Sequence, residues 1–255
     1  MSVSRLVPIL LISLLWIAPA HAGLSGKQIA EKMESSNGFS WEGAKIKTRM
    51  ILKKGKSKSV RQMRLLGRKV EGRSETVIRF TSPQKIAGTA FLMLETKSGK
   101  DHQHIYLPGL KKRRRISGRE RNGSFMGSDF TYADLRGMDA TRAVHERLKD
   151  DKVGTVKTYV IVSKMKPSAK SNYSKVQTWV RKNDFVPMRT KFFDKKGRLM
   201  KTMYTKKVET IEGQKTITKS LMKSENGHST ELIIDDVDIR KNLKDSQFTP
   251  SAIEH

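Results

Sequence analysis

Ala44-Lys45-Ile46-Lys47-Thr48-Arg49-Met50-Ile51-Leu52-Lys53 sets mostly apolar residues at even positions against mostly basic ones at odd positions. Side chains on a strand point alternately to the two faces of its sheet. A period of two therefore predicts an antiparallel strand with one buried and one wet face. Outward from this stretch the pattern repeats. Lys54-Gly55-Lys56-Ser57 reads as a turn, followed by a weaker strand over Ser59–Leu66 and a third over Glu75–Thr81. Further strands are predicted at Gly88–Glu95, His102–Leu107, Arg113–Ser117, Glu146–Lys149, Thr155–Met165, Lys175–Arg181 and Val186–Phe193. The last three are Leu199–Val208, Gln214–Met222 and Ser229–Val237. Asn183-Asp184, Lys196-Gly197, Glu212-Gly213 and Asn226-Gly227 separate several of them at hairpin spacing.

On the order of a dozen strands with so little helix predicts a large antiparallel sheet or open barrel. Only three pieces of helix are expected. One is an N-terminal segment capped by Ser25, striped by Ile29, Ala30 and Met33, running to Asn37-Gly38 just before Trp41. The others are a piece near Tyr132–Met138 and a C-terminal turn.

Two segments depart from simple alternation. Phe91-Leu92-Met93-Leu94 is apolar on both faces, which fits either a central strand covered by other protein or a strand that meets a ligand. The second segment runs from Ile105 to Leu135 and includes the basic run Lys111-Lys112-Arg113-Arg114-Arg115. It continues with Gly123-Ser124-Phe125-Met126-Gly127-Ser128-Asp129-Phe130-Thr131-Tyr132. Gly123 and Gly127 permit tight turns. Thr131 and Asp134 have capping-box spacing, and Phe125, Met126, Phe130 and Tyr132 supply apolar bulk. This reads as a loop and short helix folding over the mouth of the sheet. The five basic residues can meet an anionic membrane or acidic partner, or pair internally with Asp129 and Asp134.

Residues 1–22 have the pattern of a cleavable secretory signal: Arg5, an apolar run from Leu6 to Ile17, and Ala20-His21-Ala22 at the cut. That run is shorter than the ~20 residues a spanning helix needs. The expected mature chain is 23–255, one domain of about 233 residues beginning at Gly23. With no cysteine, it carries neither disulfides nor the thiol needed for lipidation, and it is expected to be soluble in the periplasm. The full chain has a formal net charge of +27. For an exported protein this points to lipid head groups, lipopolysaccharide phosphates or an acidic partner, and not to nucleic acid. The cations are spread along the chain, so many belong to solvated surface.

No catalytic or cofactor motif is present: no nucleophile elbow, no H-E-x-x-H and no P-loop. His102 and His104 share a strand face but lack an evident third ligand, and read as exposed polar residues. Asp235, Asp236 and Asp238 lack calcium-loop spacing and read as strand-end charges opposed by the basic surface.

Phe80-x-Ser82-Pro83, Gly88-Thr89-Ala90-Phe91-Leu92, Tyr106-Leu107-Pro108 and Phe125-Met126-Gly127-Ser128-Asp129-Phe130 occur in this order. They resemble the bacterial outer-membrane lipoprotein-sorting family, within the LolA/LolB-like superfamily, over nearly the whole mature chain. The resemblance implies an unclosed antiparallel β-barrel with a helical lid over an apolar cavity for acyl chains. It also implies a non-enzymatic periplasmic carrier of a lipoprotein or lipid, working with an inner-membrane transporter of the resistance-nodulation-division type and an outer-membrane acceptor. On this basis Phe91, Leu92, Met93 and Leu94 are candidate acyl contacts, of which only one parity faces the cavity, and Phe125, Met126, Phe130 and Tyr132 are the cover. Two other readings remain: an envelope protein that binds polyanions through its basic faces, and a hydrolase with an unrecognised site.

Overall fold

In the computed structural model the alternating stretches become thirteen strands of one antiparallel sheet. The structure describes residues 23–37, 42–96, 101–137, 139–240 and 242–254. The signal segment, Gly38, Trp41 and Met138 lie outside the described residues.

The chain begins with helix α1 (Gly26–Asn37). Ser25 caps it in a reciprocal box: the Gln28 amide donates to Ser25 Oγ at 3.2 Å, and the Ser25 amide donates to Gln28 Oε1 at 2.8 Å. Strands β1 (Gly43–Lys54), β2 (Ser57–Val70), β3 (Arg73–Ser82), β4 (Ala90–Glu95), β5 (Asp101–Leu107) and β6 (Lys112–Ile116) form a first meander. The second comprises β7 (Ala143–Val153), β8 (Val156–Met165), β9 (Lys175–Arg181), β10 (Pro187–Phe193), β11 (Leu199–Ile211), β12 (Gln214–Ser224) and β13 (Ser229–Ile239). The order across the sheet is β6-β5-β4-β3-β2-β1-β13-β12-β11-β10-β9-β8-β7. The first and last strands thus meet at its centre, and β6 and β7 are the two edges of an unclosed barrel. Glu212-Gly213 makes its hairpin with both residues at positive φ, 46° and 77°, the conformation a two-residue turn of this hand requires.

The inner face of the sheet is covered by two elements. Over β8 and β9 the cover is α1, whose Ile29, Ala30 and Met33 pack on Ile161 and Val180. Over the β1–β6 half it is the 117–137 loop. The helix expected near Tyr132–Met138 is instead a single 3-10 turn, Asp134–Arg136, ended by Gly137 at φ 80°. The capping-box chemistry is present, with the Thr131 amide donating to Asp134 Oδ2 at 2.7 Å and the Asp134 amide to Thr131 Oγ1 at 3.1 Å. A cap starts a helix but cannot lengthen it, and the glycine three residues on stops it. On the outer face, the C-terminal segment 242–254 lays Phe248 and Ile253 on Val77, Ala90 and Leu92.

Candidate functional site

Strand pairing assembles the inner apolar face residue by residue. Met63 stands opposite Phe80, Ile78 opposite Phe91, and Phe91 opposite Ile105. Met50 and Leu52 on β1 and Met222 on β12 extend the same surface, with Met203 and Leu232 packed against it. The 117–137 loop inserts Phe125, Phe130 and Tyr132 into this surface, and Met126 packs beside them. Phe125 is fully buried. Its ring lies 5.8 Å from Phe80, 5.6 Å from Phe91 and 5.4 Å from Tyr132, the last two edge-on. Such geometry adds about 0.5–1.5 kcal/mol per pair to the burial itself. The space beneath the loop is therefore filled by the loop's own side chains.

Polar contacts fasten this cover to the sheet. Asp129 accepts from Ser224 Oγ and Thr230 Oγ1, both at 2.6 Å, and so ties the loop to β12 and β13. Asp134 receives Lys201 Nζ from β11 at 2.6 Å and the Tyr173 hydroxyl at 2.9 Å. Lys201 also donates to the Asp129 carbonyl at 2.7 Å. Both charged side chains of the Lys201–Asp134 pair are nearly buried, at 6% and 8% exposure. Burial, together with the Asp134 charge, pushes the Tyr173 phenol well above its ordinary range. At the far end of the loop, Arg136 bridges Asp101 and Asp139 at 3.2 and 3.1 Å. Burial raises the Asp101 carboxyl, against the opposing pull of Arg136 and Arg121. Gly127 and Met126 both have positive φ, and this sharp reversal sends the Met126 carbonyl to the Arg61 guanidinium. The Gly-Ser-Asp-Phe segment is thus a fastening: glycine turns the chain, serine closes the turn onto the Phe125 carbonyl at 2.7 Å, aspartate grips the sheet, and phenylalanine is inserted.

The residues singled out from sequence separate by parity. Phe91 and Met93 join Phe125, Met126, Phe130 and Tyr132 on the inner face. Leu92 and Leu94 lie on the outer face with the C-terminal segment. Lys112–Ile116 is an edge strand whose four basic residues are exposed. Arg113 pairs with Glu254 and Arg114 with Glu120, each at 2.6 Å. Pairing with Asp129 and Asp134 does not occur, because those carboxylates are taken up by β11–β13. Charge along an unpaired edge also discourages the addition of a foreign strand. Asp235, Asp236 and Asp238 face Arg49, Lys47 and Arg240, as strand-end charges on a basic surface should.

His102 and His104 sit on the outer face of β5, and burial followed by Arg113 and Arg115 lowers the His104 imidazole. Among the described residues no group of three or more His, Asp or Glu is placed to hold a metal ion. His145 Nδ1 lies 2.8 Å from Ser163 Oγ, an arrangement that invites comparison with a nucleophile and its base. Ser163 is only 1% exposed, and His145 Nε2 is occupied by the Ala140 carbonyl at 2.8 Å. The pair fastens β7 to β8. Lys201, Tyr173 and Ser163 escaped sequence reading because their partners lie 67, 39 and 18 residues away, with no spacing to betray them.

A family model described as that of an uncharacterized protein matches residues 72–255. No curated protein matches the chain. Among solved structures, a domain from Vibrio parahaemolyticus classed with outer membrane lipoprotein-sorting proteins superposes with a TM-score of 0.85 at 30% identity. That match covers 90% of this chain and 98% of the other. A DUF1329 family protein from Desulfovibrio piger gives 0.85 at 24% identity, with 89% and 97% covered. A LolA superfamily protein from Nitrosomonas europaea gives 0.71 at 21% identity, with 89% and 98% covered. The last two likenesses concern the fold. The motif segments, the half-barrel with its inner cover and the near full-length match at 30% identity agree: the chain belongs to the bacterial outer-membrane lipoprotein-sorting protein family.

Proposed function

We propose that the protein is a periplasmic carrier that shelters the acyl chains of a lipoprotein or lipid on its inner face and moves the cargo towards the outer membrane. The supporting observation is the make-up of that face. Met50, Met63, Met93, Met126, Met203 and Met222 all belong to it, half of the twelve methionines in the chain. Methionine is unbranched and polarizable, and recurs where one apolar surface must fit varied partners. The cover over this surface is a loop outside the strand ladder, seated by its aromatic side chains and fastened by Asp129 and Asp134, so it can lift without unfolding the sheet. Each methylene transferred from water to such a surface contributes about 0.8 kcal/mol, enough for one or two chains to be held without covalent chemistry. Phe91, Met93, Phe125 and Phe130 then touch the chain, while Leu92 and Leu94 serve the fold. Export follows from residues 1–22, with cleavage before Gly23. The carrier works between an inner-membrane transporter of the resistance-nodulation-division type and an outer-membrane acceptor.

Native mass spectrometry of protein purified from the cell envelope tests this reading. It should show a mature chain starting at Gly23 with a stoichiometric acylated ligand. An envelope-purified protein free of any acyl species, even after gentle extraction, would count against the carrier role.

A further inference from the structure

The outer face carries a feature that the inner cover does not use. Asp236, Lys47, Arg64 and Arg79 stand opposite one another in turn across β13, β1, β2 and β3. The neighbouring row is Asp238, Lys45, Leu66, Val77 and Leu92. A cationic row thus runs beside a largely apolar one. Like charges directly opposite weaken a sheet, and the nearby carboxylates do not relieve them all. Asp236 is taken by Lys47 at 3.0 Å and Asp238 by Arg240 at 2.6 Å. Among the described residues, Lys45 and Arg64 have no carboxylate in ion-pair range. Arg79 is only partly exposed and donates to backbone carbonyls alone, Gly88 at 3.4 Å and Ala252 at 3.1 Å. Burial lowers its guanidinium from the ordinary range. These residues line a groove of about 700 Å³, whose other wall is the C-terminal segment at Ser246, Gln247 and Ala252.

We propose that this groove is a second binding site, separate from the inner face, for a single-chain amphiphile with a phosphate head. The phosphate sits on Arg64, Arg79 and Lys45, where guanidinium forks match its oxygens. The alkyl chain runs over Leu66 and the edge of Val77. Arg64 and Leu66 are two residues apart on one strand face, about 7 Å, the span from a phosphate to the first carbons of its chain. An ion without a chain leaves the apolar row unused, and a chain without a charge leaves the cations opposed.

Titration calorimetry with decyl phosphate, below its micelle-forming concentration, tests the assignment on the mature protein. Decyl phosphate should bind saturably, with inorganic phosphate and decyl maltoside at least tenfold weaker. Arg64→Gln changes an exposed residue and should weaken decyl phosphate about tenfold, the value of one charge-assisted hydrogen bond, with an unchanged circular dichroism spectrum. Leu66→Asn should weaken decyl phosphate while leaving inorganic phosphate as it was. Inorganic phosphate binding as tightly as decyl phosphate overturns the proposal in favour of a plain anion site. Equal binding of decyl maltoside, or indifference to Arg64→Gln, overturns it in favour of an uncharged apolar site. Decyl phosphate binding that is lost in Phe125→Ala but kept in Arg64→Gln assigns the ligand to the inner face and also overturns it.

Discussion

Phe91 and Met93 reach from β4 towards the 117–137 loop, while Leu92 between them reaches towards the C-terminal segment. The two covers of this strand differ in material and in attachment. Inside, the contact is aromatic and methionine-rich, and the loop is held by Asp129 and by the Lys201–Asp134 pair. Outside, the contact is Val77, Ala90 and Leu92 against Phe248 and Ile253. There Arg68 lies 4.4 Å from the centre of the Phe248 ring and donates to the Leu243 carbonyl and to Asp245. Branched aliphatic side chains have few rotamers and fit one partner well, whereas methionine adapts to several. One strand therefore has a permanent seal on one side and a surface suited to exchange on the other.

The most severe test of this contrast is the buried ion pair. Lys201→Met should cost about 3–5 kcal/mol in urea unfolding, because Asp134 is then left charged and enclosed. A double variant with Asp134→Leu should recover much of that loss while still releasing the loop, which limited proteolysis between residues 118 and 137 would detect. Phe125→Ala and Ile253→Ala should each cost about 2–5 kcal/mol by leaving a cavity. They should differ in consequence: the first changes how much acyl ligand co-purifies, the second does not. Equal loss of ligand in both would erase the distinction between the covers.

A smaller effect comes from Tyr173. Tyr173→Phe should cost about 1.5–3 kcal/mol, the range for a hydrogen bond to a charged group. Its folded phenol ionises above the unfolded value, so this contribution is complete below about pH 10 and fades as pH climbs beyond it. Alkaline titration of tyrosinate absorbance should accordingly show late-ionising phenols, since burial also raises Tyr132. Tyr173→Phe should remove one of them. Least consequential is Arg113→Ser, which breaks an ion pair 36% exposed on each side and should cost ~0.2–1 kcal/mol, less in high salt.

Most of the strands were legible because they have one wet face, and alternation is then written directly in the residues. The errors fall where that condition lapses. β7 extends from Ala143 to Val153, well beyond Glu146–Lys149, because an edge strand with long polar side chains on both faces shows weak alternation. The Tyr132–Met138 helix was inferred from its cap, and Gly137 ended it after one turn. The two-faced character of Phe91–Leu94 was visible, and so was the fact that its parities must part. Which parity faced inward was not, since that depends on a loop and a C-terminal segment remote in sequence. The fastening residues Lys201 and Tyr173 were illegible for the same reason. A lone lysine in a chain with 52 basic residues carries no mark of burial.

The meeting of β1 and β13 at the centre of the sheet bears on how the molecule assembles. Every other pairing joins strands adjacent in sequence, across turns or the loop within a single meander. The central seam joins residues as distant as Ala44 and Ile239. Such a long-range closure comes late and slowly, after the local hairpins have formed. During synthesis from the N-terminus, β1 must wait with its free edge bare until the last strand arrives, the state in which a sheet most readily recruits the wrong neighbour. Lys45, Lys47, Arg49 and Lys53, spaced along that waiting edge, charge it against a second copy of itself. The basic residues that mark the finished surface also guard the unfinished one.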